Sequence, residues 1–254
     1  MEFLHILDAR AVLGDGAMGT ELLKKGFTAE RPLATLNLIR PRAVLAIHRR
    51  YVAAGAELLR ANTFLAQQPY LDAARVREVN LAGVRLAREA GAKFVAGSVA
   101  PAEAGPGRLA RYREQCDALA EAGCDAIVLE TFRSLEDLRI AVRAAAATGL
   151  PVIANRSLGA PRPVRADVVG LNCIDPEAAI RVIGRGTGRR LAAFPSAGLP
   201  DARGCYPVTP QVFAEAVVRL IALGVRLVGG CCGTTPAHIR AAADRCIARL
   251  HGVS

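Results

Sequence analysis

The chain has 254 residues, with 33 Lys and Arg against 23 Asp and Glu, a formal net charge of +10, and 52% hydrophobic and 22% charged residues. This composition suits a soluble globular protein with a large core, and no apolar run approaches the roughly 20 residues of a membrane helix, which excludes a spanning protein. The basic residues recur along helical patterns, as in Arg49-Arg50, Arg85/Arg88 and Arg189-Arg190, and there is no Trp. With no basic tail and few rings to stack bases, no nucleic-acid partner is expected. The opening MEFLHILDAR lacks the basic start and long apolar stretch of a secretion signal, so a cytoplasmic setting is expected. Seven cysteines, an odd number, argue against a disulfide framework there.

In chain order, β-branched apolar runs predict strands at 11–14, 57–62, 93–99, 125–131, 151–157, 167–172, 190–194 and 226–229. Helical periodicity predicts helices at 41–54, 75–90, 109–122, 135–147, 176–183, 210–223 and 236–250. Several of these end at a glycine, as at Gly55, Gly91 and Gly123, and three start with Asp-Pro or Thr-Pro, an N-cap followed by proline at the first helical position. Strand and helix alternate with no linker or composition break, which predicts one (β/α)8 TIM barrel spanning residues 1–254 as a single domain. One connection is short. Only LGAPRPVRA separates Ser157 from Asp167; a crossover helix needs a dozen residues or more, so the barrel is expected to lack the helix between strands five and six.

Barrel chemistry gathers at the C-terminal ends of the strands. Cys173 closes strand six there, and Cys231 and Cys232 close strand eight. Three thiolates at one mouth make a soft donor set suited to zinc with a fourth position open. Gly229, Gly230 and Gly233 would let the backbone turn so that both adjacent cysteines face one ion. Two other readings stay open on spacing alone. A Gly-Gly loop before a helix start is also where barrels bind phosphate, which would suit an isomerase or aldolase without zinc, and paired cysteines are often simple packing.

Seven stretches appear together in order: GDGAMGTELLKKG (14–26), AIHRRYVAAGAELLRANTF (46–64), VAGSVAP (95–101), LAEAGCDAIVLETF (119–132), VGLNC (169–173), PSAGLP (195–200) and VGGCCGTTPAHIRA (228–241). Through them the chain resembles the zinc-dependent homocysteine S-methyltransferase family, which includes the betaine- and S-methylmethionine-homocysteine methyltransferases and the homocysteine-binding barrel of cobalamin-dependent methionine synthase. The resemblance covers nearly the whole chain. It implies Zn2+ held by Cys173, Cys231 and Cys232, and methyl transfer to L-homocysteine to give L-methionine. It also implies Asp15 and Glu130 at the substrate ammonium, the backbone N–H groups of Gly16, Ala17 and Met18 at its carboxylate, and Asn62, Ser98 and Asn172 as further binding or loop-fixing residues.

The chain departs from the family pattern in two loops, the one between strands five and six and Ala102 to Gly107 after strand three. Such loops choose the second substrate. The donor needing the fewest assumptions is S-methylmethionine, S-adenosylmethionine or betaine; the alternative is a methylcorrinoid or methylfolate carried by a separate protein.

Overall fold

The computed structural model describes residues 2–157, 159, 164–184 and 190–250, with side chains as far as 246. Its strands are β1 (Val12–Leu13), β2 (Leu58–Arg60), β3 (Phe94–Val99), β4 (Ala126–Phe132), β5 (Val152–Arg156), β6 (Val168–Asn172), β7 (Leu191–Phe194) and β8 (Val225–Val228). All pair in parallel, in the order β1-β8-β7-β6-β5-β4-β3-β2. The ring comes nearly closed between β1 and β2, where Glu57 N–H donates to Leu13 O at 2.8 Å and Asp15 N–H to Leu58 O at 3.0 Å. This is the expected TIM barrel, and every strand lies within one residue of its predicted range.

The helices are α1 (Glu2–Ala9), α2 (Met18–Lys24), α3 (Leu36–Ile39), α4 (Pro41–Ala53), α5 (Ala73–Glu89), α6 (Arg108–Glu121), α7 (Leu135–Ala146), α8 (Pro176–Ile183), α9 (Pro210–Ala222) and α10 (Pro236–Leu250). The seven predicted helices are α4 to α10. Their starts are capped as the sequence suggests: Asp175 accepts from the N–H groups of Glu177 and Ala178, and Thr209 from that of Val212. Among the described residues between β5 and β6 there is no helix, and Val164 is buried on that flank; residues 158 and 160–163 of this predicted loop lie outside the described residues. None of the helices is long and apolar enough to cross a membrane.

Side chains alternate across each strand, and the inward set changes character along the barrel axis. Low in the barrel it is apolar: Leu58, Phe94, Ala96, Ala126, Val128, Ile153, Val168 and Leu227 pack into one interior cluster. Two residues further on it turns polar, with Arg60, Ser98, Glu130, Asn155 and Asn172 all buried. The outward set packs beneath the helices in a second, larger cluster.

Sequence periodicity did not announce α1, whose eight residues are too few to show a clear repeat. Its Phe3 and Leu7 are buried in the interior cluster, Phe3 packing edge-on to Phe94 with ring centroids 5.2 Å apart. Helix α1 therefore stoppers the lower end of the barrel.

His48 on α4 is fully buried, and neither ring nitrogen has a hydrogen-bond partner. Burial lowers its pKa to about 3, so the folded protein holds it neutral while the unfolded chain takes up a proton below about 6.5. The stability it contributes is complete above pH 6.5 and is lost as pH falls toward 3. Urea unfolding at a series of pH values should show a loss of up to about 1.4 kcal/mol per pH unit across that window that is absent in His48→Leu. Equal acid sensitivity in the two proteins would refute the assignment.

Candidate active site

The upper mouth of the barrel opens into a cavity of about 620 Å3 whose lining includes Asp15, Gly16, Arg60, Ser98, Glu130, Cys231 and Cys232. Its outer wall is mostly apolar, from Leu23, Pro32, Leu33, Phe64 and Tyr70, with the exposed Glu30 and Arg31 among them. Chemistry is divided between a sulfur cluster on one side and a charged cluster on the other.

The three sulfurs are those that the sequence singles out. The Sγ atoms of Cys173, Cys231 and Cys232 all lie within 4.8 Å of one another, with Cys173 and Cys232 3.5 Å apart. The backbone brings them together by local distortion. Cys173 takes φ +56°, rare for a residue with a Cβ, and its N–H is held by Phe194 O at 3.0 Å. Cys231 N–H donates to Pro195 O at 2.8 Å, and Cys232 O accepts from Ala197 N–H at 2.8 Å, so the β7 loop clasps the β8 loop. Gly233 completes the turn at φ +80°; a Cβ there would lie 2.1 Å from the ring of Tyr206, so glycine is required on both counts.

Two S–H groups turned toward a third sulfur favour its thiolate. With its neighbours protonated, interaction with the thiols of Cys173 and Cys231 holds the Cys232 pKa down to about 3, while the same sulfurs push Cys173 far above the ordinary thiol range. A zinc ion at about 2.3 Å from each of three tetrahedral thiolates would require sulfurs about 3.8 Å apart. The observed cluster fits that donor set with little adjustment. Asn172 stands against it: its amide donates to Thr131 Oγ1 at 3.0 Å and reaches Cys231 Sγ at 3.9 Å, and its Oδ1 accepts from Thr131 N–H at 2.8 Å. Thr131 is itself strained at φ +66°, beside the register shift that follows Leu129 in β4. Regular alternation from Val128 already turns Glu130 into the barrel, and the irregularity turns the next residues so that Phe132 packs on the outer face.

The charged cluster centres on Arg60, which sequence reading passes over. Its Nε donates to Asp15 Oδ1 at 2.8 Å, Nη1 to Glu130 Oε2 at 2.6 Å, and Nη2 to Gly16 O at 2.9 Å and Gly230 O at 2.6 Å. Its backbone N–H takes the other Asp15 oxygen at 2.9 Å. The guanidinium carbon lies 4.6 Å from the centre of the Phe194 ring. Ser98 Oγ donates to Glu130 Oε1 at 2.5 Å.

One cation is thus shared by two carboxylates. Burial raises the Asp15 pKa to about 6 despite Arg60, whereas Arg60, for which burial alone would be unfavourable, is held well above its ordinary value by Glu130 and then Asp15.

The remaining predicted residues fall as follows. Asp15 is 1% exposed and lines the cavity with both carboxylate oxygens bound by Arg60. Gly16, Ala17 and Met18 line the cavity, with Ala17 N–H directed to Thr234 O at 3.3 Å. Asn62 also lines it while its amide fixes the neighbouring loop, donating to Leu33 O and Asn37 Oδ1, both at 3.0 Å. The N–H groups that a phosphate would need after β8 are already engaged: Gly229 bonds Ala193 O, and Gly230 bonds Asp15 O at 2.8 Å. Tyr206, from a loop without periodicity, is a lining residue that the sequence does not reveal.

Comparison with known proteins agrees with this arrangement. The family described as homocysteine S-methyltransferase matches residues 12–246. Methionine synthases of Mycobacterium tuberculosis and Mycobacterium leprae are 35% and 34% identical to the chain over 94% and 96% of its length. The chain spans about a quarter of the length of these relatives. The M. tuberculosis alignment runs to 295 positions, more than the whole chain, so the relative carries insertions within the matched region. Among solved structures, the metallated homocysteine methyltransferase MmuM of Escherichia coli superposes with a TM-score of 0.79 at 24% identity, covering 93% of this chain and 96% of that one. On its sequence, its barrel and its three convergent cysteines, the chain belongs to the homocysteine S-methyltransferase family.

Proposed function

We propose that this barrel, acting as a single domain, transfers a methyl group to the thiol of L-homocysteine, forming L-methionine. The observation that carries the reading is the convergence of Cys173, Cys231 and Cys232 beside a buried, charged subsite of amino-acid size. The three cysteines would hold Zn2+, whose charge, when bound, favours the thiolate of an incoming thiol over its protonated form.

The protein's own residues supply position and charge. Glu130, its carboxylate fixed by Ser98 and Arg60, meets the acceptor ammonium, and the Gly16 to Met18 wall faces its carboxylate. Asp15 acts through Arg60. The acceptor sulfur is thereby held at the cysteine cluster, and the apolar outer wall excludes water from the path along which a methyl group arrives. The acceptor sulfur then forms a bond to the methyl carbon as the donor's bond to that carbon breaks, and the pair of electrons leaves with the donor.

Small cationic donors, S-methylmethionine, S-adenosylmethionine or betaine, require no further protein. A second reading, in which a separate protein presents a methylcorrinoid or methylfolate, is favoured by the identity to methionine synthases about four times as long. Methionine formation by the purified protein with each donor distinguishes them: turnover with a free sulfonium or betaine supports the first, and turnover only with a methylcorrinoid or methylfolate supports the second. No methionine from any donor, with zinc present, would refute the activity.

A further inference from the structure

Six residues beyond Cys232 stands His238, a buried side chain that the proposed chemistry does not use. Helix α10 begins at Pro236, so Thr235 is its N-cap and His238 its third residue, where a side-chain acceptor commonly reaches back to the N-cap N–H. His238 does this through Nδ1, which receives Thr235 N–H at 3.2 Å and lies 2.9 Å from Thr235 Oγ1. Its other nitrogen, Nε2, lies 2.9 Å from Val208 O, near the far end of the strap, residues 195–209, that joins β7 to α9. A backbone N–H can only donate and a carbonyl can only accept, so the ring is the neutral tautomer with its proton on Nε2. Burial, which lowers the His238 pKa, favours the same neutral form. Phe213 of α9 holds the ring in a T-shaped contact, with centroids 5.6 Å apart.

These bonds close a circuit. His238 donates to Val208 O, Val208 N–H to Ala197 O at 3.0 Å, and Ala197 N–H to Cys232 O at 2.8 Å, and the chain from Cys232 to Thr235 completes the ring. Within it, Tyr206 of the strap covers Gly233 of the turn. The helix cap alone would be served by Glu or Gln. Donation to Val208 O demands a side chain that gives a proton as well as accepting one, which Glu cannot do and Gln can. We propose that His238 is a positioning residue for the sulfur cluster: it clasps the strap onto the turn after β8, and so fixes the peptide of Cys232 in the orientation that brings its sulfur to those of Cys173 and Cys231. This rests on reading the three cysteines as the Zn2+ site.

Two substitutions separate the clasp from the cap. In His238→Gln the side-chain amide can accept from Thr235 N–H and donate to Val208 O; in His238→Glu the carboxylate can accept but offers no proton to the carbonyl. Competition for Zn2+ against a chelator, and amide hydrogen exchange followed by mass spectrometry, are measured on the purified full chain. His238→Gln should stay close to the wild type in both. His238→Glu should bind Zn2+ about tenfold more weakly, and its segment 195–209 should exchange about tenfold faster, the scale of one lost hydrogen bond. The added negative charge would by itself favour a cation, so weaker binding is not a charge effect. Equal Zn2+ affinity in the Glu and Gln variants overturns the positioning role, and unchanged exchange in 195–209 overturns the clasp. Should His238→Glu fail to fold, His238→Ala takes its place: a residue that only caps α10 would speed exchange in 235–240 alone, whereas the clasp requires faster exchange in 195–209 as well. Failure of the underlying reading looks different. If the wild type binds no Zn2+, the metal assignment falls whatever the variants do, and faster exchange of 195–209 in His238→Glu still upholds the clasp.

Discussion

Cys232→Ala is expected to purify without zinc and to form methionine about a thousandfold more slowly than the wild type at pH 7. Two effects combine in that figure. A free thiol with a pKa near 8.5 is only a few per cent ionised at pH 7, a loss of roughly thirtyfold, and release of the acceptor sulfur from a fixed position adds a further factor approaching a hundred. The variant's residual rate should then climb about tenfold per pH unit up to the thiol pKa, because the acceptor must ionise unaided. The wild-type rate should not follow that slope. Elemental analysis and a pH series on the same preparations check both statements, and Cys173→Ala should behave alike, since the two sulfurs are 3.5 Å apart in one cluster. Full zinc occupancy in either variant would refute the three-cysteine site.

The second large effect concerns folding. Arg60→Gln leaves Asp15 and Glu130 buried without their shared cation, and loss of one partner from a buried ion cluster costs about 3–5 kcal/mol. Asp15→Asn should cost much less, because burial already raises the Asp15 pKa to about 6 and its ionised form gains little net stability from the fold. The sign with pH follows. In Arg60→Gln Asp15 loses the cation that offsets its burial and is further disfavoured as an anion in the folded state, so the deficit is greatest at neutral pH and shrinks as pH falls and Asp15 protonates. Urea unfolding at pH 7 and pH 5 measures it; a deficit that grows on acidification would contradict the shared-cation arrangement.

The strands and outer helices were legible because each left a local trace: β-branched runs, glycine stops and Asp-Pro or Thr-Pro starts. The sulfur cluster was legible because strand ends in a barrel converge, so Cys173 could be placed near a pair almost sixty residues away. Arg60 left no such trace. At the end of the run ELLRANTF it looks like a solvated strand terminus, and its burial depends on carboxylates 45 and 70 residues distant. Only the closed sheet brings β1, β2 and β4 round one axis. Tyr206 was hidden for a related reason: a loop side chain takes its position from the Gly233 turn it covers. Helix α1 shows the limit of periodicity in another way, since eight residues at a barrel end bury only two large side chains.

That stoppered lower end gives the molecule the topology of a flask. With Phe3 and Leu7 filling the base, the mouth is the open end of the barrel among the described residues. Arg60 is buried in the cavity wall, Cys231 and Cys232 are partly exposed in it, and Leu23, Phe64 and Tyr70 are its exposed lining residues. Should the proposed transfer take place in this cavity, a donor bound first across those exposed residues would block the acceptor's entry, and the expected kinetics are ordered, acceptor before donor, with methionine released last.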